Sequence, residues 1–391
     1  MIKVTHVITD LSPGGAELQL YRVLSAMDPG RFENEVISLT DLGSVAGRIR
    51  ATGVRVRALA MRRGIPNPLP IIRLSRWLRE SNAQVVQTWM YHANLIGGLA
   101  ARLAGDIPIV WGIHQADLDP HWNKLLTLWT AKNCGRMSRW LPRCAVFVSE
   151  ASRQLHARFG YAAARMEVIP NGFDVHEFRP DPAARLSLRM ELEIPEDSVV
   201  IGMASRFHPQ KDHRTFLRAA ALLRDVPRVH FVLCGRGVTP DNRQLLEWIT
   251  EAGVAPRCHL LGERTDTPRL FAAMDIATSS SASEAFPLAV GEAMACATPC
   301  VVTDVGDSAL IVGDTGAVVP AGDPAGLARA WRELIDLGAE ARRERGLSAR
   351  RRIQQRFELS ASVARYQAIY AGLAGSTLQR APASPLAPLA E

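Results

Sequence analysis

Glu284 and Glu292 are separated by seven residues in the run Ser283-Glu284-Ala285-Phe286-Pro287-Leu288-Ala289-Val290-Gly291-Glu292. A serine-rich loop (Ser279, Ser280, Ser281, Ser283) closes a strand just before them. Pro287 fits the first position of a helix running through Glu292 and Ala295, because proline's missing N–H costs nothing there. Backbone amides around Phe286 to Leu288 then emerge unpaired from a helix N-terminus, which carries partial positive charge and favours a phosphate. Carboxylates on either side of that anion accept bonds from hydroxyl groups. A phosphate attached to two sugars, as in a nucleotide-sugar, presents this set of groups. The spacing alone also arises by chance, so its weight depends on what accompanies it.

Three further groups follow strand-like segments. Ser205-Arg206-Phe207-His208-Pro209-Gln210-Lys211-Asp212 sets two cations five apart, Arg206 as a planar fork and Lys211 as a point charge, suited to a diphosphate. Lys211 is one of four lysines beside 42 arginines, a bias against which a retained lysine points to a specific need. The plainer reading is a solvated loop with Asp212 capping a helix. Pro13-Gly14-Gly15-Ala16-Glu17 lets the backbone approach a phosphate, or simply turns tightly. It lacks the Gly-x-Gly-x-x-Gly pattern of dinucleotide binding. His114 ends a strand, where a ligand cleft is expected, although a lone histidine is more often a packed side chain. Gly235-Arg236-Gly237 is a minor addition. Asp117-Leu118-Asp119 has the form of a divalent-ion pair, and equally that of an N-cap before a first-turn proline, Pro120.

The elements that must position these groups alternate strand and helix. Strands are expected at Val4–Ile8, Glu35–Leu39, Val54–Leu59, Val85–Thr88, Ile109–Ile113, Ala145–Val148 and Met166–Ile169, then at Val199–Ala204, His230–Cys234, His259–Leu261, Ile276–Thr278 and Cys300–Thr303. Alternation of this kind implies right-handed βαβ units and parallel sheets, here two Rossmann-like α/β domains. The turn Ile169-Pro170-Asn171-Gly172-Phe173-Asp174 divides them. Residues 1–170 are expected to form the first domain and 171–360 the second. A helix over 361–373 crosses back to the first, and 374–391, Ala/Pro-rich without periodicity, is expected to be disordered.

Composition narrows the class. With 391 residues the chain holds two ordinary cores. No apolar run of about 18 residues is present, and the N-terminus reads as a buried strand, so a cytoplasmic location is expected. Six cysteines show neither Cys-x-x-Cys pairs nor clustering with histidine, which suits reduced buried thiols. Of the net charge of +7, residues 1–171 carry +9 and the remainder −2. No nucleic-acid motif accompanies that excess. Six of the eight tryptophans lie in the basic half instead, a combination that fits an anionic membrane surface. Trp122, Leu125, Leu126 and Trp129 with Lys132, Arg136 and Arg139 divide into apolar and basic faces, as in a helix lying on a membrane or, more ordinarily, one packed on a core.

Taken together, these motifs resemble the family 4 retaining glycosyltransferases of the GT-B fold over nearly all of residues 1–373. The resemblance rests on Gly14-Gly15-Ala16-Glu17, Val148-Ser149-Glu150, Val168-Ile169-Pro170-Asn171-Gly172, Arg206 with Lys211, Glu284 with Glu292-Ala293-Met294, and the segment from Gly316 to Asp323. It implies that Arg206 and Lys211 neutralise the donor diphosphate, that Glu284 holds sugar hydroxyls and Glu292 the ribose, and that Gly15 lies near the phosphates. It places His114 beside the donor sugar, with Gly14, Gly235, Phe286, Pro287 and Leu288 completing the donor site. Thr303-Asp304-Val305-Gly306-Asp307 followed by Ile311-Val312-Gly313-Asp314-Thr315-Gly316 is similar to transferases of bacterial surface polysaccharides. Ala285, Pro287 and Asp307 stand where many members have glycine, departures that bear on donor specificity.

The expected chemistry is metal-independent transfer of a hexose-type sugar, from a UDP-sugar first of all, to a glycan or lipid-linked acceptor at the cytoplasmic leaflet. No cofactor and no nucleic acid are expected. Two alternatives stand beside it. One is a nucleotide-sugar epimerase or hydrolase of the same fold, and the other a non-enzymatic membrane-surface protein.

Overall fold

The computed structural model describes residues 1–62, 68–162 and 166–378. Its first sheet holds β1 (Ile2–Ile8), β2 (Phe32–Ser38), β3 (Arg55–Ala58), β4 (Val85–Trp89), β5 (Ile109–Ile113), β6 (Cys144–Phe147) and β7 (Met166–Val168). They run in the order β3-β2-β1-β4-β5-β6-β7, every neighbouring pair parallel. The second sheet holds β8 (Val199–Ala204), β9 (Val229–Cys234), β10 (Cys258–Leu260), β11 (Ile276–Ser279), β12 (Cys300–Thr303) and β13 (Ala317–Val319), ordered β10-β9-β8-β11-β12-β13 and again parallel. The short β13, preceded by Gly316, was not among the expected strands.

Helices connect the strands of each sheet. In the first domain they are α1 (Gly15–Ala26), α2 (Val45–Ala51), α3 (Leu69–Glu80), α4 (Tyr91–Leu103), α5 (Leu125–Met137) and α6 (Glu150–Arg158). In the second they are α7 (Pro182–Glu191), α8 (His213–Ala221), α9 (Arg243–Ala252), α10 (Thr267–Ala273), α11 (Leu288–Ala295), α12 (Ser308–Val312), α13 (Pro324–Asp336) and α14 (Gly338–Arg356). With cover on both faces, central strands such as β5 are buried along their whole length, which explains their continuous apolar runs.

The chain passes between the domains twice, side by side. Phe173 N–H donates to Phe357 O at 2.9 Å, and Leu359 N–H donates to Phe173 O at 3.0 Å. From there α15 (Leu359–Leu378) returns to the first domain. Tyr366 and Tyr370 are buried with Val4, Ile8, Leu20 and Trp89, and the Tyr370 hydroxyl donates to Gln87 Oε1 at 3.0 Å. The helix runs beyond the expected end at 373. Ala374, one turn after Tyr370, is buried in the same cluster, and that packing outweighs the helix-weakening Gly372 and Gly375. Of the tail expected to be disordered, residues 379–391 lie outside the described residues.

Phe173 is fully buried beneath α11, where it stacks on Phe286, their ring centres 6.1 Å apart. Only a glycine at 291 makes room, because a Cβ there would run into the Phe173 ring. Gly291→Ala should therefore cost about 1–3 kcal/mol of stability through overpacking. Gly47→Ala, with nothing near its Cβ, should be neutral or stabilising by up to about 1 kcal/mol. Urea unfolding of the two variants against the wild type measures both.

Candidate active site

In an open parallel sheet, ligands bind beyond the carboxyl ends of the strands where the strand order reverses. In the second sheet that point lies between β8 and β11, and the two loops leaving it carry the Arg206–Lys211 and Glu284–Glu292 motifs. The loops are tied to each other. Ser280 Oγ donates to Lys211 O (3.1 Å) and Asp212 O (3.0 Å), and Ala282 N–H donates to Gln210 O (2.8 Å). Asp212, at φ +47°, turns the chain and accepts Thr215 N–H to cap α8. Lys211 Nζ then forms an ion pair with Glu284 Oε1, the same oxygen that accepts Ser281 Oγ at 2.8 Å. Arg206 remains exposed on the same loop.

Glycines set the closeness of this arrangement. Gly306 has φ +55°, and a Cβ there would strike the carbonyls of Glu284 and Ala285. Gly235, at φ +144°, brings the loop after β9 against Ser205. Its N–H donates to Gly262 O at 2.7 Å, so its place is in shaping the Arg206 loop. The Phe286 side chain belongs to the core with Phe173 and Phe357, which leaves its backbone alone on the cleft side.

The helix start falls one residue later than expected. Pro287 has ψ 111° and is the N-cap, with Leu288 the first helical residue. Proline's ring fixes φ near −65°, which an extended N-cap accepts as readily as a helical position does. No side chain caps α11, so its first-turn N–H groups remain for an anion. Across from them stands the N-terminus of α1, where a Cβ on Gly15 would lie 3.8 Å from Leu288 Cδ1. Gly14 is the N-cap of α1. Glu17 folds back so that its carboxylate fills the space a Cβ on Gly14 would need. Burial pushes the Glu17 carboxyl up to about 7, with nearby Asp10 adding to the rise and Arg206 opposing it.

His114 directly follows β5, half-buried, its ring stacked on Trp89 with centres 5.0 Å apart. Trp89 is itself held by its Nε1–H donating to His6 Nδ1 at 3.3 Å. A Cβ on Gly112 would press on Thr88 O of the neighbouring strand, with His114 Nε2 beside it at 3.4 Å. In the next loop Asp117 accepts Asp119 N–H at 2.7 Å, and Asp119 accepts His121 N–H at 2.8 Å. Asp119 thus opens a turn, and the following helix starts only at Leu125.

Three polar contacts join the domains around the cleft. Asp117 Oδ2 lies 3.4 Å from Gln210 Nε2. Asp307 accepts the N–H groups of Glu150 (2.9 Å) and Ala151 (3.1 Å), capping α6 from the other domain, and burial raises its carboxyl. The Asp307 carboxylate thereby holds the domain interface. Arg22 of α1 pairs with Glu292 of α11 at 2.5 Å, both side chains buried. Arg22 carried no signal in the sequence, because its partner stands 270 residues away.

Away from the cleft, three of the four apolar residues expected either to pack on the core or to face a membrane point outward, whereas Trp122 precedes α5 and is half-buried. Leu125 (79% exposed), Leu126 (53%) and Trp129 (59%) share the outer side of α5 with Lys132 and Arg136, while Thr130, Ala131, Cys134 and Gly135 face inward. No helix among the described residues is long and apolar enough to cross a membrane. All six cysteines are free thiols, five of them buried.

Comparison with known proteins decides the family. The model of Glycosyltransferase Family 4 matches residues 13–177, and that of Glycosyl transferases group 1 matches residues 198–336. The chain belongs to the family 4 glycosyltransferases. Its fold is GT-B: the Anabaena HepE protein, solved in complex with UDP and glucose, superimposes with a TM-score of 0.82 at 23% identity, over 97% of this chain and all of that one. WaaG, a glycosyltransferase involved in lipopolysaccharide biosynthesis, gives 0.73 at 15% identity over 94% of this chain and all of that one. Among curated relatives, the Escherichia coli UDP-Gal:alpha-D-GlcNAc-diphosphoundecaprenol alpha-1,3-galactosyltransferase is 26% identical over 62% of this chain and 63% of its own length. The D-inositol 3-phosphate glycosyltransferase of Mycobacterium bovis is 34% identical over 50% of this chain and 40% of its own. The matched regions thus span under two thirds of these two relatives.

In this glycosyltransferase His114 is neutral in the ordinary pH range, since burial pushes it down to about 4. An unfolded imidazole takes up its proton near 6.5, so this contribution to stability is complete above that value and is lost as the pH falls from 6.5 towards 4. Over that window the wild type should lose stability more steeply than His114→Asn, by up to about 1.4 kcal/mol per pH unit. Denaturant unfolding at stepped pH measures the difference, and equal slopes would contradict a buried neutral imidazole.

Proposed function

We propose that the protein is a retaining, metal-independent glycosyltransferase that moves a hexose-type sugar from a nucleoside diphosphate donor, with UDP-sugars the first candidates, to a hydroxyl of a glycan or lipid-linked acceptor. The observation that carries this reading is the convergence of Lys211, Arg206, Glu284 and the uncapped N-terminus of α11 at the β8–β11 switch point, opposite Gly15. Departure of a nucleoside diphosphate from the anomeric carbon concentrates negative charge on the β-phosphate. Two cations and a set of fixed amides oppose that charge through their own geometry. In the ground state Glu284 neutralises Lys211, and the arriving diphosphate competes for the ammonium, freeing the carboxylate to accept sugar hydroxyls.

In the proposed reaction the acceptor hydroxyl attacks the anomeric carbon from the face the diphosphate leaves. The bond from that carbon to the phosphate oxygen breaks with its electron pair passing to the phosphate, and the hydroxyl proton follows to the departing oxygen. The new glycosidic bond keeps the configuration of the donor. His114, neutral and stacked on Trp89, offers an uncharged hydrogen-bonding group beside the sugar. A closed cleft limits hydrolysis.

The acceptor reading draws on the exposed apolar and basic face of α5 and on the lipid diphosphate acceptor in the name of the Escherichia coli relative. It places the protein at the cytoplasmic face of a membrane, in assembly of exopolysaccharide, capsule or lipopolysaccharide.

The test is calorimetry with UDP-, GDP- and ADP-sugars in EDTA, followed by turnover with the donor that binds. Lys211→Ala should lower kcat by about 10²-fold or more, and Glu284→Ala comparably, both variants remaining folded. Donor consumed equally well without acceptor would favour the epimerase or hydrolase, and no binding of any donor would refute the assignment. Failure to co-sediment with anionic vesicles at moderate salt would remove the membrane part.

A further inference from the structure

Helix α1 meets α11 across the domain boundary along one face. Gly15 opposes Leu288, and Arg22 is bonded to Glu292. The pairs are spaced seven residues apart on α1 and four on α11, so each set lies on a single helical face. Between them on α1 stands Gln19, 1% exposed, with neither its amide nitrogen nor its oxygen bonded among the described residues. Buried amides are almost always paired, so this seam holds more hydrogen-bonding capacity than the protein itself uses.

The Arg22–Glu292 contact is built for orientation. Nη2 donates to Oε1 at 2.5 Å. The guanidinium lies over the Phe178 ring, 5.3 Å from its centre, and is 7% exposed. Glu177, Asp174 and Arg48 are further charged groups near this cluster. Nη1 is buried and unpartnered, and Oε2 of Glu292 accepts no bond from any described residue. The carboxylate is thus fixed through one oxygen, with the other left open.

We infer that Arg22 is a positioning residue for nucleoside recognition. From the first domain it holds Glu292 of the second by Oε1, so that Oε2 accepts the 2′-hydroxyl of the donor's ribose. This rests on the reading of Glu292 as the ribose carboxylate and deepens it: the ribose site is completed only when α1 is docked on α11. Recognition of the nucleoside is thereby tied to closure of the two domains.

The experiment is calorimetry on the full chain with three pairs of nucleotides, UDP and dUDP, GDP and dGDP, ADP and dADP, each pair differing only by the ribose 2′-hydroxyl. The proteins are the wild type, Arg22→Met, Arg22→Lys and Glu292→Gln. The wild type should prefer the ribose form of its nucleotide by about tenfold or more, the range of a hydrogen bond to a charged group. Arg22→Met should reduce that ratio to about threefold or less, with Arg22→Lys between the two, since lysine keeps the charge but not the planar group over Phe178. Because both ligands of a pair meet the same protein, loss of folded or closed molecules cancels in the ratio, which a merely structural role would leave unmoved. A wild-type ratio retained in Arg22→Met but lost in Glu292→Gln would overturn the inference and leave the ribose reading standing. No ribose preference in the wild type would refute the ribose reading, and the inference with it.

Discussion

A charge cannot be buried alone, and that constraint organises the cleft of this protein. Lys211 and Arg22 are largely withdrawn from water at the meeting of two domains, and each is neutralised by a glutamate of the second domain, Glu284 and Glu292. Removing a charge from water costs several kcal/mol unless a partner compensates it. In the proposed reaction the diphosphate draws Lys211 away and frees Glu284 for sugar hydroxyls, whereas Glu292 stays bonded to Arg22 through one oxygen and offers the other to the ribose.

The backbone makes the pairing possible. Parallel strands direct both motif loops to one end of the second sheet, and glycines at 235, 291 and 306 let segments approach more closely than any side chain would allow. The chain crosses between the domains twice, at Phe173 and Leu359, and α15 packs onto the first core through Tyr366 and Tyr370. Asp307 adds a contact that a glycine could not make, since only a carboxylate there reaches the amides of Glu150 and Ala151. Asp307, one of three positions at which the resemblance leads one to expect glycine, ties the domains together.

Much of this was legible in the chain. β5, β8 and β12 lie where their apolar runs end, because strands covered on both faces announce themselves by composition. The motif loops were legible because each follows such a strand. What escaped has physical reasons. β13, as short as β7 and β10, follows the run Gly313-Asp314-Thr315-Gly316, whose residues read as a loop. Pro287 suits both an N-cap and a first helical position, so proline alone does not fix the register. The Arg22–Glu292 pair and the Asp307 cap join residues 270 and about 157 apart, and nothing local in an arginine or an aspartate reports its partner. The outward turn of Leu125, Leu126 and Trp129 was equally hidden, since an amphipathic pattern states that a helix has two faces without saying which one the domain covers.

The central claim is that Lys211 and the N-terminus of α11 together receive the donor diphosphate. A crystal structure of the protein with its nucleoside diphosphate, grown in EDTA, addresses it directly. Lys211 Nζ is expected to have moved from Glu284 to a phosphate oxygen, with Arg206 and the first amides of α11 on the same group. A nucleotide bound elsewhere in the cleft, with Lys211 still paired to Glu284, would contradict it.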